Sequence, residues 1–174
     1  MKEFSLDLFK MGYVILYKNE GGLFGNAIVA KQISAGFSKE DAQFCHSEIS
    51  GGGKHAVNIS PPLAKLVDIT QAHKGRYIRL IRFNNQDYQL KGRYKVAYFS
   101  ASLNNTGYDI RGIFRFLFKW IGHGNRLWFC SEGCAQSFKM VYQDINGGLS
   151  PVNWMPAEFT KPIFQLVWEG LIPA

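Results

Sequence analysis

The sequence predicts an α+β fold in one domain spanning residues 1–174, with a strand meander in the first half and helices mostly in the second. Short β-branched apolar runs, bounded by glycine and proline, recur in the first half. Apolar residues at helical spacing dominate the second half. Hydrophobic residues make up 47% of the chain and charged residues 19%, so a chain of this length buries a sizeable core.

In the first half, glycine and proline punctuate the predicted elements. We expect a strand over residues 12–17 and a helix over residues 23–33 that ends near Gly36. The clearest signal is a hairpin, whose strands cover residues 44–50 and 54–60 around three consecutive glycines. Pro61-Pro62 ends that hairpin, and a further strand follows over residues 76–83.

The second half predicts four helices. They cover residues 87–102, the aromatic-rich residues 110–121, residues 131–142 and a short piece within residues 156–167. The sequence contains neither internal repeats nor a low-complexity linker, which agrees with one compact unit.

The net charge of +7 comes from the middle of the chain. Residues 61–130 carry twelve Lys or Arg and three Asp or Glu, whereas residues 1–60 carry six of each and residues 131–174 carry two and four. A basic face favours anionic partners such as nucleic acid, anionic lipid or a cell-wall polymer. An ordinary solvated basic surface explains the same count.

The N-terminal residues, the apolar runs and the cysteines indicate the cellular compartment. The first ten residues carry charges within their short apolar stretch and do not resemble a signal peptide. No apolar run approaches the roughly 20 residues of a membrane helix. The three cysteines are too few, and odd in number, for a disulfide framework. We therefore expect a protein that is cytoplasmic as synthesised, with reduced thiols and no transmembrane segment.

Cys130 is the candidate nucleophile because it stands at the start of a predicted helix. Free N–H groups and the partial positive charge at a helix N-terminus favour a thiolate and can stabilise an oxyanion. A nearby histidine would complete its activation. A buried structural cysteine is the alternative interpretation.

The hairpin supplies His46 as the candidate base and Asn58 as the residue that orients it. If the loop covers residues 50–54, Ile49 faces His55 and His46 faces Asn58. Facing residues share one side of the sheet with Cβ atoms about 5 Å apart. A slip of one residue would move Asn58 to the other side.

Other polar residues compete for the orienting role. We rank Glu48 second, because it shares a face with His46 but lies about 7 Å along the same strand. His55 ranks third, since it points away from the face of Asn58. His73 and His123 stand in loop-like contexts, and we expect both at the surface.

Five elements carry a family resemblance. They are Gly12-Tyr13-Val14-Ile15-Leu16, Phe44-Cys45-His46-Ser47-Glu48-Ile49, Ala56-Val57-Asn58-Ile59-Ser60-Pro61-Pro62, Gly107-Tyr108-Asp109 with Gly112, and Phe129-Cys130-Ser131-Glu132. In this order they resemble circularly permuted NlpC-type papain-like proteins, including YiiX-like and lecithin retinol acyltransferase-like members. Tyr13 replaces the usual Asp of the opening strand, and Gly133-Cys134 replaces the usual aliphatic pair.

The resemblance implies a papain-like fold and a cysteine hydrolase that needs neither cofactor nor metal. His46 would take the Cys130 proton, the thiolate would attack an acyl carbon, and the Cys130 backbone N–H would help to hold the oxyanion. We interpret Glu132 as a charge at the helix end and Asp109 as structural.

Members of the group cleave amide bonds in cell-wall peptides, and others move or remove fatty acyl chains. We expect an amidase or peptidase, with peptidoglycan as one candidate substrate. For such a substrate, the missing signal peptide suggests a phage-encoded or otherwise released protein, or an intracellular target. A lipid acyltransferase or thioesterase is the alternative, with residues 113–121 as an apolar acyl site.

Three further interpretations stay open. A zinc site would use Cys45, His46, His55, Cys130 and Cys134, although Cys45 and His46 point to opposite strand faces. A nucleic-acid surface would use the basic and aromatic residues Arg76, Tyr77, Arg79, Arg82, Arg93, Tyr94 and Lys95. We expect neither, because the arginines of residues 76–83 alternate between faces and no paired-cysteine motif is present. The last is a relative of the enzyme that binds without turnover.

Overall fold

A six-stranded antiparallel sheet forms the centre of the protein in a computed structural model that describes residues 3–109 and 129–174. Its strands are β1 (Val14–Lys18), β2 (Phe44–Gly52), β3 (His55–Ile59), β4 (Ala64–Asp68), β5 (Tyr77–Phe83) and β6 (Phe164–Leu171). They lie in the order β4-β3-β2-β1-β5-β6, and every neighbouring pair is antiparallel. The predicted α+β class is confirmed.

Helices connect and cover these strands. They are α1 (Leu23–Ser34), α2 (Lys39–Ala42), α3 (Ile69–Ala72), α4 (Arg93–Ser102) and α5 (Cys130–Lys139). One π-helical stretch, Tyr88–Gly92, leads directly into α4. Short 3-10 helices cover Leu6–Leu8, Ile145–Gly148, Pro151–Asn153 and Pro156–Thr160. The helix predicted over residues 110–121 lies outside the described residues.

Two strands were missed or misassigned by the sequence prediction. The chain turns at Pro61-Pro62 and returns as β4, which pairs with β3 along its whole length. The segment predicted as a last helix is a 3-10 helix followed by β6, which pairs with β5 at the edge of the sheet. The apolar spacing of a short, half-buried edge strand fits both the period of a helix and that of a strand. Pairing with a distant strand therefore decides which of the two structures forms.

The predicted register of the hairpin is wrong by two residues. Ile49 pairs with Val57, not with His55, and Ser50 pairs with Ala56. Two features combine to give this shift: β2 and β3 pair as far as Gly52 and His55, which moves the register by three residues, and a bulge between Ser50 and Gly52 moves it back by one. A shift of two residues preserves the alternation of faces, so Asn58 still shares a face with His46 and Glu48. It lies two residues farther from His46 along β3 than predicted.

The main core lies around β1, whose residues Val14 to Tyr17 are fully buried. The cysteine helix α5 packs on β2 and β3 and contributes Cys134 and Phe138 to the buried interior. Gly133 permits this approach, because a Cβ atom there would overlap the buried side chain of Ile59. Sheet and helix are thereby held close at the point where the helix begins.

No helix in the described part of the chain is long and apolar enough to cross a membrane.

Gly12 joins the start of β1 to α4, and its replacement tests this junction. Its φ of 83° lies in the left-handed region, and a Cβ atom would collide with the backbone carbonyl of Arg93. We expect Gly12→Ala to lower the free energy of unfolding by more than about 2 kcal/mol, beyond the left-handed backbone cost alone. Urea unfolding measures this change.

Gly53→Ala is the matched control. Gly53 also has a positive φ, of 57°, but no atom lies within 4 Å of the position that a Cβ atom would take there. Equal destabilisation by the two substitutions would contradict the close contact between Gly12 and Arg93.

Candidate active site

Cys130 is the first residue of α5. The preceding Phe129 is extended, with φ −100° and ψ 166°, and its carbonyl accepts the first helical hydrogen bond from Gly133 N–H at 3.0 Å. The N–H groups of the first turn therefore have no acceptor within the helix. Cys130 is 5% exposed, so these groups act on its sulfur in a setting that excludes most water.

The imidazole of His46 interacts directly with the Cys130 thiol. Burial alone would raise the pKa of Cys130, but the charge and hydrogen bond of His46, with backbone hydrogen bonds from Ser47 and Ser131, lower it. Burial would likewise lower the pKa of His46, but Cys130 and Glu48 raise it to about 10. The two shifts have opposite signs, and both favour a thiolate–imidazolium pair.

Glu48 holds the other side of the His46 ring. Its carboxylate is 0% exposed, and His46 Nε2 lies 3.3 Å from Glu48 Oε1. This contact occupies Nε2 and leaves Nδ1 for the Cys130 sulfur. Alternate residues of a strand are about 7 Å apart, and the two side chains make contact because they point toward each other along β2.

Asn58 does not make the contact predicted for it. Its Oδ1 atom is buried and accepts no hydrogen bond from any described residue, because the shifted register places it farther along the sheet than expected. Glu48, the second-ranked residue, contacts His46 instead. His55, ranked third, is exposed on β3 and pairs with Asp68 across the sheet.

His73 was expected at the surface and is buried. It follows α3, where Asp68 caps the helix by accepting a hydrogen bond from Thr70 N–H at 3.0 Å. Its Nε2 lies 2.8 Å from Glu48 Oε1. The hydroxyl of Tyr17 donates to the other carboxylate oxygen at 2.9 Å.

The sequence offered no local signal for these contacts of Glu48, because Tyr17, Glu48 and His73 lie in or beside three different elements. His123 lies outside the described residues.

Tyr108 belongs to the surroundings of Cys130. Burial and then the charge of Cys130 raise the pKa of Tyr108, so this phenol lies within electrostatic reach of the sulfur. Tyr108 is held beside β3 and β4 by a hydrogen bond from its N–H to Pro62 O at 3.1 Å. Asp109 next to it is fully buried.

The other two cysteines differ from Cys130 in their ionisation. Burial, followed by the charge of Cys130, raises the pKa of Cys45 to about 11. Burial also raises the pKa of Cys134 well above the ordinary value, although the Ser47 side chain opposes the shift. Among the three, the thiol with the lowered pKa is the one at the helix start beside a histidine.

The part of the chain that the structure describes bears on the zinc site and the nucleic-acid surface considered from the sequence. Within residues 3–109 and 129–174, no group of three or more His, Cys, Asp or Glu side chains is arranged to hold a metal ion. Arg79 is buried and paired with Glu40, Asp41 and Glu169. It is therefore engaged within the protein instead of lying free on a basic surface.

Glu48 makes the free energy of unfolding depend on pH in the acidic range. Hydrogen bonds from His46 and His73 outweigh burial and lower its pKa from 4.5 to about 2. A lowered pKa stabilises the folded state fully above pH 4.5, and this contribution disappears as the pH falls through about 2. Its full size is on the order of 3 kcal/mol.

We therefore expect the unfolding free energy of the wild type to exceed that of Glu48→Gln by an amount that is constant between about pH 5 and 6, below the range in which His46 titrates, and shrinks toward about pH 2. Urea unfolding across this range measures the difference. Glu40→Gln is the control, because Glu40 is largely exposed. A difference that does not change with pH would contradict the ionised state of Glu48.

In comparison with known proteins, no family model matches the chain, and no curated protein matches it significantly.

Proposed function

We propose that this protein is a cysteine hydrolase in which Cys130 is the nucleophile, His46 the acid and base, and Glu48 the residue that orients His46. The observation that carries the proposal is the Cys130–His46 pair at the start of α5, with Glu48 on the far ring nitrogen. A histidine strand that precedes the cysteine helix in the chain supports a permuted papain-like fold of the NlpC type as part of the same proposal.

The proposed reaction starts from a thiolate that is already formed. The Cys130 sulfur attacks an acyl carbon and forms a carbon–sulfur bond, while the carbonyl electrons move to oxygen. The Cys130 N–H, free at the helix start, donates to this oxyanion. His46 then gives its proton to the leaving group, and the carbonyl re-forms as an acyl-enzyme.

Deacylation uses the same groups in reverse. Neutral His46 takes a proton from water, and the resulting hydroxide attacks the acyl carbon. The carbon–sulfur bond breaks, which releases the acid and restores the thiolate beside protonated His46. Glu48 stays ionised throughout, because its hydrogen bonds hold its pKa far below neutral.

Amide or peptide hydrolysis is the reaction that this arrangement supports best. An amine leaves an acyl centre only when it is protonated, and the His46 imidazolium provides that proton in place. Cell-wall peptides are the first substrates to test, since the charge of +7 suits an anionic polymer. Such a substrate agrees with a phage-encoded or released protein. The apolar run proposed for lipid acyl chains lies outside the described residues.

The ionisation of Cys130 tests the proposal without knowledge of the substrate. We expect iodoacetamide to label Cys130 of the wild type rapidly at about pH 6, and His46→Ala to slow this labelling by at least about tenfold. An unperturbed thiol titrates near about 8.5 and is mostly protonated at that pH. Peptide mass spectrometry measures the labelling of each cysteine.

Cys45 is the internal control, because it is more exposed than Cys130 and its pKa is raised. The hydrolase proposal would be contradicted if Cys130 is labelled no faster than Cys45 and at the same rate in the wild type and in His46→Ala. After a positive result, wild type and Cys130→Ser are compared on cell-wall peptides and on fatty acyl thioesters. Turnover of the thioesters alone would favour the lipid alternative.

A further inference from the structure

The carboxylate of Glu48 has two histidines on one oxygen. Oε1 lies 2.8 Å from His73 Nε2 and 3.3 Å from His46 Nε2, and Oε2 accepts from the Tyr17 hydroxyl at 2.9 Å. The contacts with His73 and Tyr17 are the shorter ones. The position of the carboxylate is therefore set by residues other than the histidine that it orients.

We propose that His73 is a positioning residue of the active site: its Nε2–H holds the Glu48 carboxylate where that carboxylate can bind His46. This inference rests on the proposed function, in which the Cys130–His46 pair does the chemistry. His73 reaches Cys130 only through Glu48 and His46.

The hydrogen-bonding capacity of His73 supports this assignment. Its Nδ1 atom is buried and has no hydrogen-bond partner among the described residues. The contact with Glu48 is thus the single hydrogen bond that its ring makes there, and Nε2 must donate, because an ionised carboxylate only accepts. A histidine that served only to fill the core would have no need of this polar edge.

Tyr17 aligns both rings. It pairs with His46 across β1 and β2, and its ring centroid lies 5.5 Å from that of His46 and 4.3 Å from that of His73. Tyr17 is fully buried, and burial followed by the charge of Glu48 raises its pKa well above 10, so its hydroxyl stays a donor. Three donors from separate parts of the chain converge on one buried carboxylate.

The charged surroundings favour this role. Cys130 and His46 share a hydrogen bond on one side of Glu48. The Arg76 guanidinium lies over the Tyr17 ring, 5.8 Å from its centroid, and pairs with Glu20. Without His73, Glu48 would lose its shortest hydrogen bond and could turn from His46. Less negative charge at Nε2 would destabilise the imidazolium and with it the thiolate.

The test is the pH profile of Cys130 alkylation in His73 variants. His73→Phe keeps an aromatic ring and removes the donor. We expect it to move the pH midpoint of Cys130 labelling upward by about one unit, because Glu48 would then stabilise the His46 imidazolium less. His73→Gln places an amide N–H near the position of Nε2. We expect this variant to stay within about threefold of the wild type.

A second pair keeps the test decisive if His73→Phe does not fold. His73→Asn has the same amide as His73→Gln but is one methylene shorter and cannot reach Glu48, so it should be the slower of the two. His55→Gln, at an exposed histidine of β3, is the control and should match the wild type.

The outcomes separate this inference from the proposed function. Superimposed profiles for the wild type and His73→Phe, or equal profiles for His73→Asn and His73→Gln, would overturn the role of His73 and leave the hydrolase proposal standing. A wild type whose Cys130 is unreactive at about pH 6 would overturn both.

Discussion

The buried carboxylate of Glu48 is the group on which the rest of the candidate site depends. A carboxylate removed from water is stable as an anion only when donors surround it, and Glu48 has three. Two of these donors, Tyr17 and His73, fix its place, and the third is the histidine that faces Cys130. The negative charge of Glu48 thus reaches the sulfur through one imidazole ring.

The sheet makes this arrangement possible. Tyr17 and His46 face each other on β1 and β2, and Glu48 follows on the same face two residues later. Gly133 lets α5 approach this sheet closely enough to bring Cys130 to His46, although 84 positions separate them in the chain. Helix start, imidazole and carboxylate each favour the same ionised state of the pair, so their effects reinforce one another.

The sequence was informative where a signal is local and failed where it depends on pairing across the fold. Cys130 at a helix start and His46 on a hairpin strand follow from short-range patterns, and both lie in the elements predicted for them. The choice of Asn58 over Glu48 depended on a register that the turn after Gly52 and a bulge in β2 together shift by two residues. His73 could not have been found, because its contact with Glu48 arises only when the residue that follows α3 folds back onto β2.

The ionisation state of His46 at alkaline pH tests the central claim most directly. Nitrogen-15 NMR of the histidine rings distinguishes imidazolium from neutral imidazole, and His46→Gln identifies the signal. We predict that His46 stays protonated through about pH 8, because Cys130 and Glu48 raise its pKa to about 10. Titration of His46 near about 6.5, as in an unperturbed histidine, would contradict the account.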